Sequence, residues 1–214
     1  MPRAASASRK PRRPYHHGNL RRGLLDEALA TIRDGGVEAL TLRDIGTRLG
    51  VSRTALYRHF ADKRALLSAV AAEGFLTLRT ELLSAWESGG RGPAAFEAMG
   101  AAYIRFAVAN PSHYRVMFGG FVDAKSCDPA LATEAAGAFQ ALADALADLQ
   151  RTGVVRDDDT LTMARFVWAV VHGVAMLAID RQLPEPGAVD QLMRYAIAHV
   201  GTGIGQPRAV RAIM

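Results

Sequence analysis

An all-α fold is predicted by three observations. Apolar residues recur at spacings of three and four along most of the chain, the pattern of helices with one buried face. Ala and Leu abound while only 9 of 214 residues are Pro, which favours helix throughout. Half the residues are apolar, enough for a sizeable core. The predicted organisation is a basic arm at 1–14, a three-helix helix-turn-helix domain at 15–62, a larger helical domain at 63–204, and a flexible tail at 205–214.

Residues 1–14 (MPRAASASRKPRRP) hold prolines, small residues and five positive side chains without an apolar period, as expected of a disordered arm. Arg12 and Arg13 are candidates for auxiliary contacts with a polyanion, and a merely solubilising tail fits the same composition equally well. The adjacent His16 and His17 point apart on a helix, which disfavours a metal site. Asn19 is placed to cap a first helix over 20–34, with Leu20, Leu24, Leu25, Ala28, Leu29 and Ile32 as its apolar stripe and Gly35 and Gly36 as its stop.

The stretch TLRDIGTRLGVSRTALYRHFADK, residues 41–63, is the most informative in the chain. Thr41 with Asp44 three places on reads as a helix cap, and Leu42, Ile45 and Leu49 form one face. Gly50 suits the left-handed residue that ends a helix, Val51 plugs the core, and Ser52 caps the next helix. That helix buries Leu56 and Phe60 and leaves Arg53, Thr54, Tyr57, Arg58 and His59 on its polar side. Two helices joined by a three-residue turn fit a helix-turn-helix that lays its second helix in a major groove, and also fit a plain αα-corner.

Charge is unevenly placed. Residues 1–64 hold fourteen Lys or Arg against six Asp or Glu, and the remainder twelve against fifteen. The basic third coincides with the helix-turn-helix, which points to double-stranded DNA as partner. A membrane-binding basic helix is disfavoured, because the positive charges do not oppose a Trp or Phe face. Residues 1–22 have no apolar core of a signal peptide, the most apolar run is the fourteen residues 166–179, and Cys127 is the one cysteine. A reducing cytoplasm is the compartment expected, with no membrane partner.

Asp62 is placed to cap a long fourth helix over 63–86 that buries Leu66, Leu67, Val70, Phe75, Leu78 and Leu82, with Gly74 as a point of close packing or bending. Gly89–Pro93 reads as a linker, and helices are expected at 94–109 and 113–118. A loop follows at 122–129. The next helix, 130–151, has the stripe Leu131, Ala135, Phe139, Leu142, Leu146 and Leu149. The eighth helix, expected at 160–183, is apolar all round, so both sides need cover. The ninth, 188–200, has one apolar face. These last two suit a four-helix bundle across a twofold axis, with Val167, Val170, Val171, Val174, Leu192, Met193 and Ala196 as the dimer interface.

The segments His16–Arg21, Thr41–Ile45, Gly50–Ser52 and Leu56–Lys63 closely resemble the amino-terminal domain of TetR/AcrR-family transcriptional regulators. More sparsely, Asn110–Phe118 and Trp168–Gly173 resemble the regulatory domain of the subgroup named for its Trp-His-Gly positions. The resemblance implies a homodimer of about nine helices per chain. It implies phosphate contacts for Thr41, Tyr57, His59 and Lys63 and base-edge contacts for Arg53 and Thr54, chemistry those side chains suit. Arg43 and Arg58 suit supplementary phosphate contacts and equally suit plain solvation, and Ser52 at the helix start joins the DNA-binding candidates. Tyr57 also fits a core position, and Thr41 a cap alone.

A pocket for a small-molecule effector is expected between the long fourth helix and the helices carrying Tyr103, Phe106, Met117, Phe118, Trp168, His172 and Met176, though the same residue types also fit an ordinary core. The function expected is a ligand-responsive repressor that binds an inverted-repeat operator as a homodimer and is released by its effector. No cofactor, metal or enzymatic activity is expected, since no nucleophile–base set, metal cluster or phosphate-cradling glycine loop stands out. A nucleoid-type binder without sequence preference is the other DNA-binding class.

Overall fold

The computed structural model describes residues 20–123 and 128–205. The expectations for the arm, Arg12, Arg13, His16, His17, Asn19 and Cys127 fall outside them. The described residues form nine helices and one isolated antiparallel bridge, Val155 with Gly205. The helices are α1 (Leu20–Gly35), α2 (Leu42–Leu49), α3 (Arg53–Tyr57), α4 (Lys63–Ser88), α5 (Pro93–Ala109), α6 (Pro111–Phe118), α7 (Pro129–Arg151), α8 (Thr160–Ile179) and α9 (Ala188–Ile204).

Local chemistry sets the boundaries. The Thr41 hydroxyl accepts from the Asp44 amide at 3.2 Å and donates to the Asp44 carboxylate at 2.7 Å, closing the start of α2. Gly50 ends it at φ 68°, a conformation that costs an L side chain about 1–2 kcal/mol. Ser52 and Asp62 accept from the amides of Ala55 and Ala65, starting α3 and α4. Pro93, Pro111 and Pro129 each stand at a helix start, where the missing N–H is no loss. The expected linker and loop therefore each end one residue earlier, at Gly92 and Asp128. Helix α8 ends at Ile179 rather than at 183, because Asp180 caps it and Arg181 turns to φ 55°. Gly205, expected in the tail, is held by its bridge to Val155.

Helices α1, α2 and α3 make the head. Arg48 on α2 donates to Glu27 and Thr31 on α1, at 3.0 and 3.1 Å. A Cβ on Gly46 would stand 2.9 Å from Leu56 Cδ1, so a glycine here lets α2 and α3 approach closely. The 26-residue α4, roughly 39 Å long, leaves the head and packs against α1, α5, α6 and α7. Helix α8 packs on α5, α7 and α9. At 20 residues α8 is longer than the apolar run 166–179 suggests, and by length and composition it is sufficient to cross a membrane. Its Met163, Ala164, Val167, Val171, Val174 and Ala175 are instead buried inside the subunit.

That burial corrects the expected dimer face. Val167, Val171 and Val174, with Ala196 of α9, are core residues closed to a partner. Val170, Leu192 and Met193 are half-buried. The outward stripe of α8 is Thr162, Phe166, Ala169, Gly173 and Leu177, rotated from the face assigned on hydrophobicity alone.

Gly74 is a point of close approach. A Cβ there would lie 2.5 Å from Met117 Sδ and 3.2 Å from His113 Cβ, so α4 and α6 touch across it. Gly74→Val is expected to lower stability by ~1–3 kcal/mol through overpacking, read as a reduced denaturant midpoint at constant slope.

Candidate nucleic-acid interface and effector cavity

The head presents a connected polar surface. Thr41, Arg43, Ser52, Arg53, Thr54, Tyr57, Arg58 and His59 are exposed, and Lys63 is half-buried at the first position of α4. Tyr57 is 45% exposed, which removes the core alternative for it. Arg58 and His59 lie just past the last residue of α3, in the turn that leads to Phe60. The Arg53 guanidinium sits over the Tyr57 ring, 5.4 Å from its centre, a contact that narrows the directions Arg53 explores. Beneath this surface Leu42, Ile45, Leu56 and Phe60 are buried and hold α2 and α3 in register.

The larger part of the chain encloses a cavity of about 390 Å³. Phe75, Leu78 and Leu82 line it from α4; Phe96, Met99, Gly100 and Tyr103 from α5; Met117 and Phe118 from α6; Ala138, Phe139 and Leu142 from α7. Val167, Trp168 and Val171 of α8 and Ile197, Val200 and Ile204 of α9 complete most of the wall. Exposed Pro93, Glu97, Val154 and Gly201 mark its mouth. Of the expected pocket residues, Tyr103, Met117, Phe118 and Trp168 line it. Phe106, His172 and Met176 do not: Phe106 is packed in the core at 1% exposure, and His172 and Met176 face other side chains.

His172 belongs instead to a polar chain behind the wall. Trp168 Nε1 donates to the Tyr103 hydroxyl at 3.0 Å, and the Tyr103 and Tyr114 hydroxyls are 2.9 Å apart. The Tyr114 hydroxyl is 2.6 Å from His172 Nδ1, with Tyr103 a longer 3.2 Å from the same nitrogen. Burial lowers the His172 pKa, favouring a neutral ring whose Nδ1 accepts. Donation then runs from Trp168 through Tyr103 and Tyr114 to His172. Burial pushes the Tyr103 phenol up to about 12 and raises Tyr114 further, so both keep their protons.

A second polar set joins head to body. Arg22 of α1 donates to Glu73 of α4 at 2.6 Å, and the other Glu73 oxygen is 3.3 Å from His113 Nε2 on α6. Arg22 also grips Asp26. Burial lowers the His113 pKa against the pull of Glu73. His113 precedes Tyr114, so the two polar sets meet on α6.

Sequence reasoning missed the α7 and α9 walls of the cavity and its mouth. Phe139 and Leu142 were legible as an apolar stripe, but a stripe does not say whether it faces a neighbour or a void. Val154 and Val155 lie in an irregular turn with no periodicity to read. Among the described residues no three His, Cys, Asp or Glu cluster as a metal site would require.

Two family descriptions match the chain. Residues 24–70 match the bacterial regulatory proteins of the tetR family, and residues 96–200 match the tetracyclin repressor-like C-terminal domain. The chain belongs to the TetR family. This TetR-family protein is a transcriptional regulator, of a family whose members act by binding DNA rather than as enzymes. Over 58 residues it is 48% identical to the tetracycline repressor protein class C of Escherichia coli, a match covering 27% of this chain and about a quarter (26%) of that repressor's length. A solved protein of unknown function from Rhodococcus sp. RHA1 is 32% identical, with a TM-score of 0.79 over 91% of this chain and 100% of that one. A SmeT–triclosan complex is 25% identical with a TM-score of 0.62, covering 88% of this chain and 92% of that one.

Two expectations concern stability of the TetR-family fold. Tyr114→Phe removes the link between Tyr103 and His172 and is expected to cost ~1–2 kcal/mol, measured by urea unfolding. His113 and His172 both have lowered folded-state pKa values, so the unfolded chain binds their protons first. Stability is therefore expected to fall as pH drops through about 6.5, the unfolded imidazole value. His172→Gln is expected to flatten that part of a stability-against-pH curve.

Proposed function

We propose that this regulator is a repressor that binds an inverted-repeat operator as a homodimer and releases it when a small molecule fills the cavity. The observation that carries the reading is the span of α4: Lys63, at its first position, borders the exposed basic surface, and Phe75, Leu78 and Leu82 of the same helix line the cavity. In this reading the DNA-binding head ends at Asp62 and residues 63–204 form the effector and dimer domain, with the protein acting in the cytoplasm.

Arg53 and Thr54 read base edges, Arg53 by a bidentate contact with guanine. Thr41, Arg43, Ser52, Tyr57, Arg58, His59 and Lys63 take phosphates and fix the register. The outward stripe Phe166, Ala169, Gly173 and Leu177 of α8 meets a second copy, its small residues allowing close approach, and exposed Tyr195 of α9 borders the contact. A twofold dimer sets two heads about one DNA turn apart.

An occupant that pushes on Met117 and Phe118 displaces α6. The displacement reaches α4 through the Gly74 contact, and reaches α1 through His113, Glu73 and Arg22. Release follows only if the occupant binds the low-affinity state better than the operator-bound one. The SmeT structure in complex with triclosan supports the reading that this fold accommodates a small organic molecule.

Selection from random DNA tests the proposal, and a palindromic consensus is expected. Arg53→Ala is expected to cost ~1–3 kcal/mol and relax preference at one base pair per half-site, while Lys63→Ala weakens all sequences alike and reduces the salt slope by about one per head. Absence of any consensus at fixed salt would mark a nonspecific binder and reject the proposal.

A further inference from the structure

Resting on the reading that the cavity is the effector site, the chemistry of its wall narrows what the effector is. Only three lining side chains carry nitrogen or oxygen: Tyr103, Trp168 and Glu97. The first two are engaged with each other, since the indole N–H donates to the phenol and the phenol hydrogen goes on to Tyr114. A carboxylate, sulfonate or phosphate entering the cavity would shed water and find no free side-chain donor in exchange.

A cation meets the opposite conditions. Phe75, Phe96, Phe118, Phe139 and Trp168 line the cavity with aromatic rings, whose faces attract positive charge. Phe118 and Phe139 both pack against the Trp168 ring, with centres 6.1 and 6.2 Å away, so these rings form a connected wall. Glu97, the one charged side chain among the lining residues, stands at the mouth. It is exposed and makes no ion pair among the described residues, whereas Glu27, Glu73, Glu87 and Glu134 are each bound to an arginine.

We propose that the effector is a lipophilic organic cation, with an apolar, ring-bearing body inside the cavity and its single positive charge held between the aromatic wall and the Glu97 carboxylate. Its affinity comes mainly from burial of the apolar body, and its selectivity from the absence of free side-chain donors within and the carboxylate at the rim.

Calorimetric titration of the full-length protein with tetraphenylphosphonium and tetraphenylborate, ions of matched size and shape and opposite charge, tests this directly. Tetraphenylphosphonium is expected to bind about tenfold tighter or more. Glu97→Gln is expected to weaken it about threefold and Glu97→Lys further, with tetraphenylborate strengthened in the latter, at unchanged melting temperature because Glu97 is exposed. Benzyltrimethylammonium and its neutral carbon isostere neopentylbenzene repeat the comparison at smaller size, with the Glu97 variants expected to weaken only the cation. No cation-specific effect of Glu97 in either pair, or tighter binding of tetraphenylborate by the unaltered protein, overturns the proposal. Operator affinity is measured separately: a cation that binds through Glu97 yet leaves operator affinity unchanged rejects the release mechanism while upholding the charge preference of the cavity.

Discussion

One face of helix α4 is buried along its length, and the remaining parts of the molecule are arranged by that burial. Leu66, Leu67, Val70 and Ala71 seat its first turns against the head, and Phe75, Leu78, Leu82 and Trp86 carry the apolar face on into the larger domain. Packing along that face resists local bending, because close-packed interiors transmit displacement rather than absorb it. Head and cavity therefore share one helix, and α6, which lines the cavity, also packs on both α4 and α1. Gly74 brings α6 within contact of the α4 backbone.

Around this rod, polar groups are used sparingly and are paired. Among the described residues no buried side-chain nitrogen or oxygen lacks a partner. The chain from Trp168 to His172 ties α5, α6 and α8 together at the cavity wall, and the set Arg22, Glu73 and His113 ties α1, α4 and α6 at the junction. Both converge on α6, which has two helical turns between Pro111 and Phe118. A short helix with a cavity on one side and the head on the other is the natural place for a bistable contact. The lowered pKa values of His113 and His172 follow from the same enclosure: burial that excludes water penalises the charged ring.

The head was nearly fully legible because its determinants are local. A hydroxyl or carboxylate three residues before an amide, a glycine at the left-handed position and an apolar spacing of three and four act within one or two turns. Thr41, Gly50, Ser52 and Asp62 each do what that chemistry requires. The exposure of the basic side chains follows once Leu42, Ile45, Leu56 and Phe60 are committed to the core. Gly46 escaped notice, since its need for glycine comes from Leu56 on the facing helix rather than from its own.

By itself, the sequence determined the all-helical class, the helix order and most boundaries, and the basic surface of the head, since each depends on residues within a few positions of one another. Tertiary structure alone decided which side of α8 faces inward, that Val167, Val171 and Val174 are core while Phe166 and Leu177 face out, and that His172 ends a hydrogen-bonded chain behind the cavity wall. An apolar helix carries no record of its own rotation. That rotation is set by the volumes of α5, α7 and α9 packed against it, and the void left among them is a property of the whole assembly.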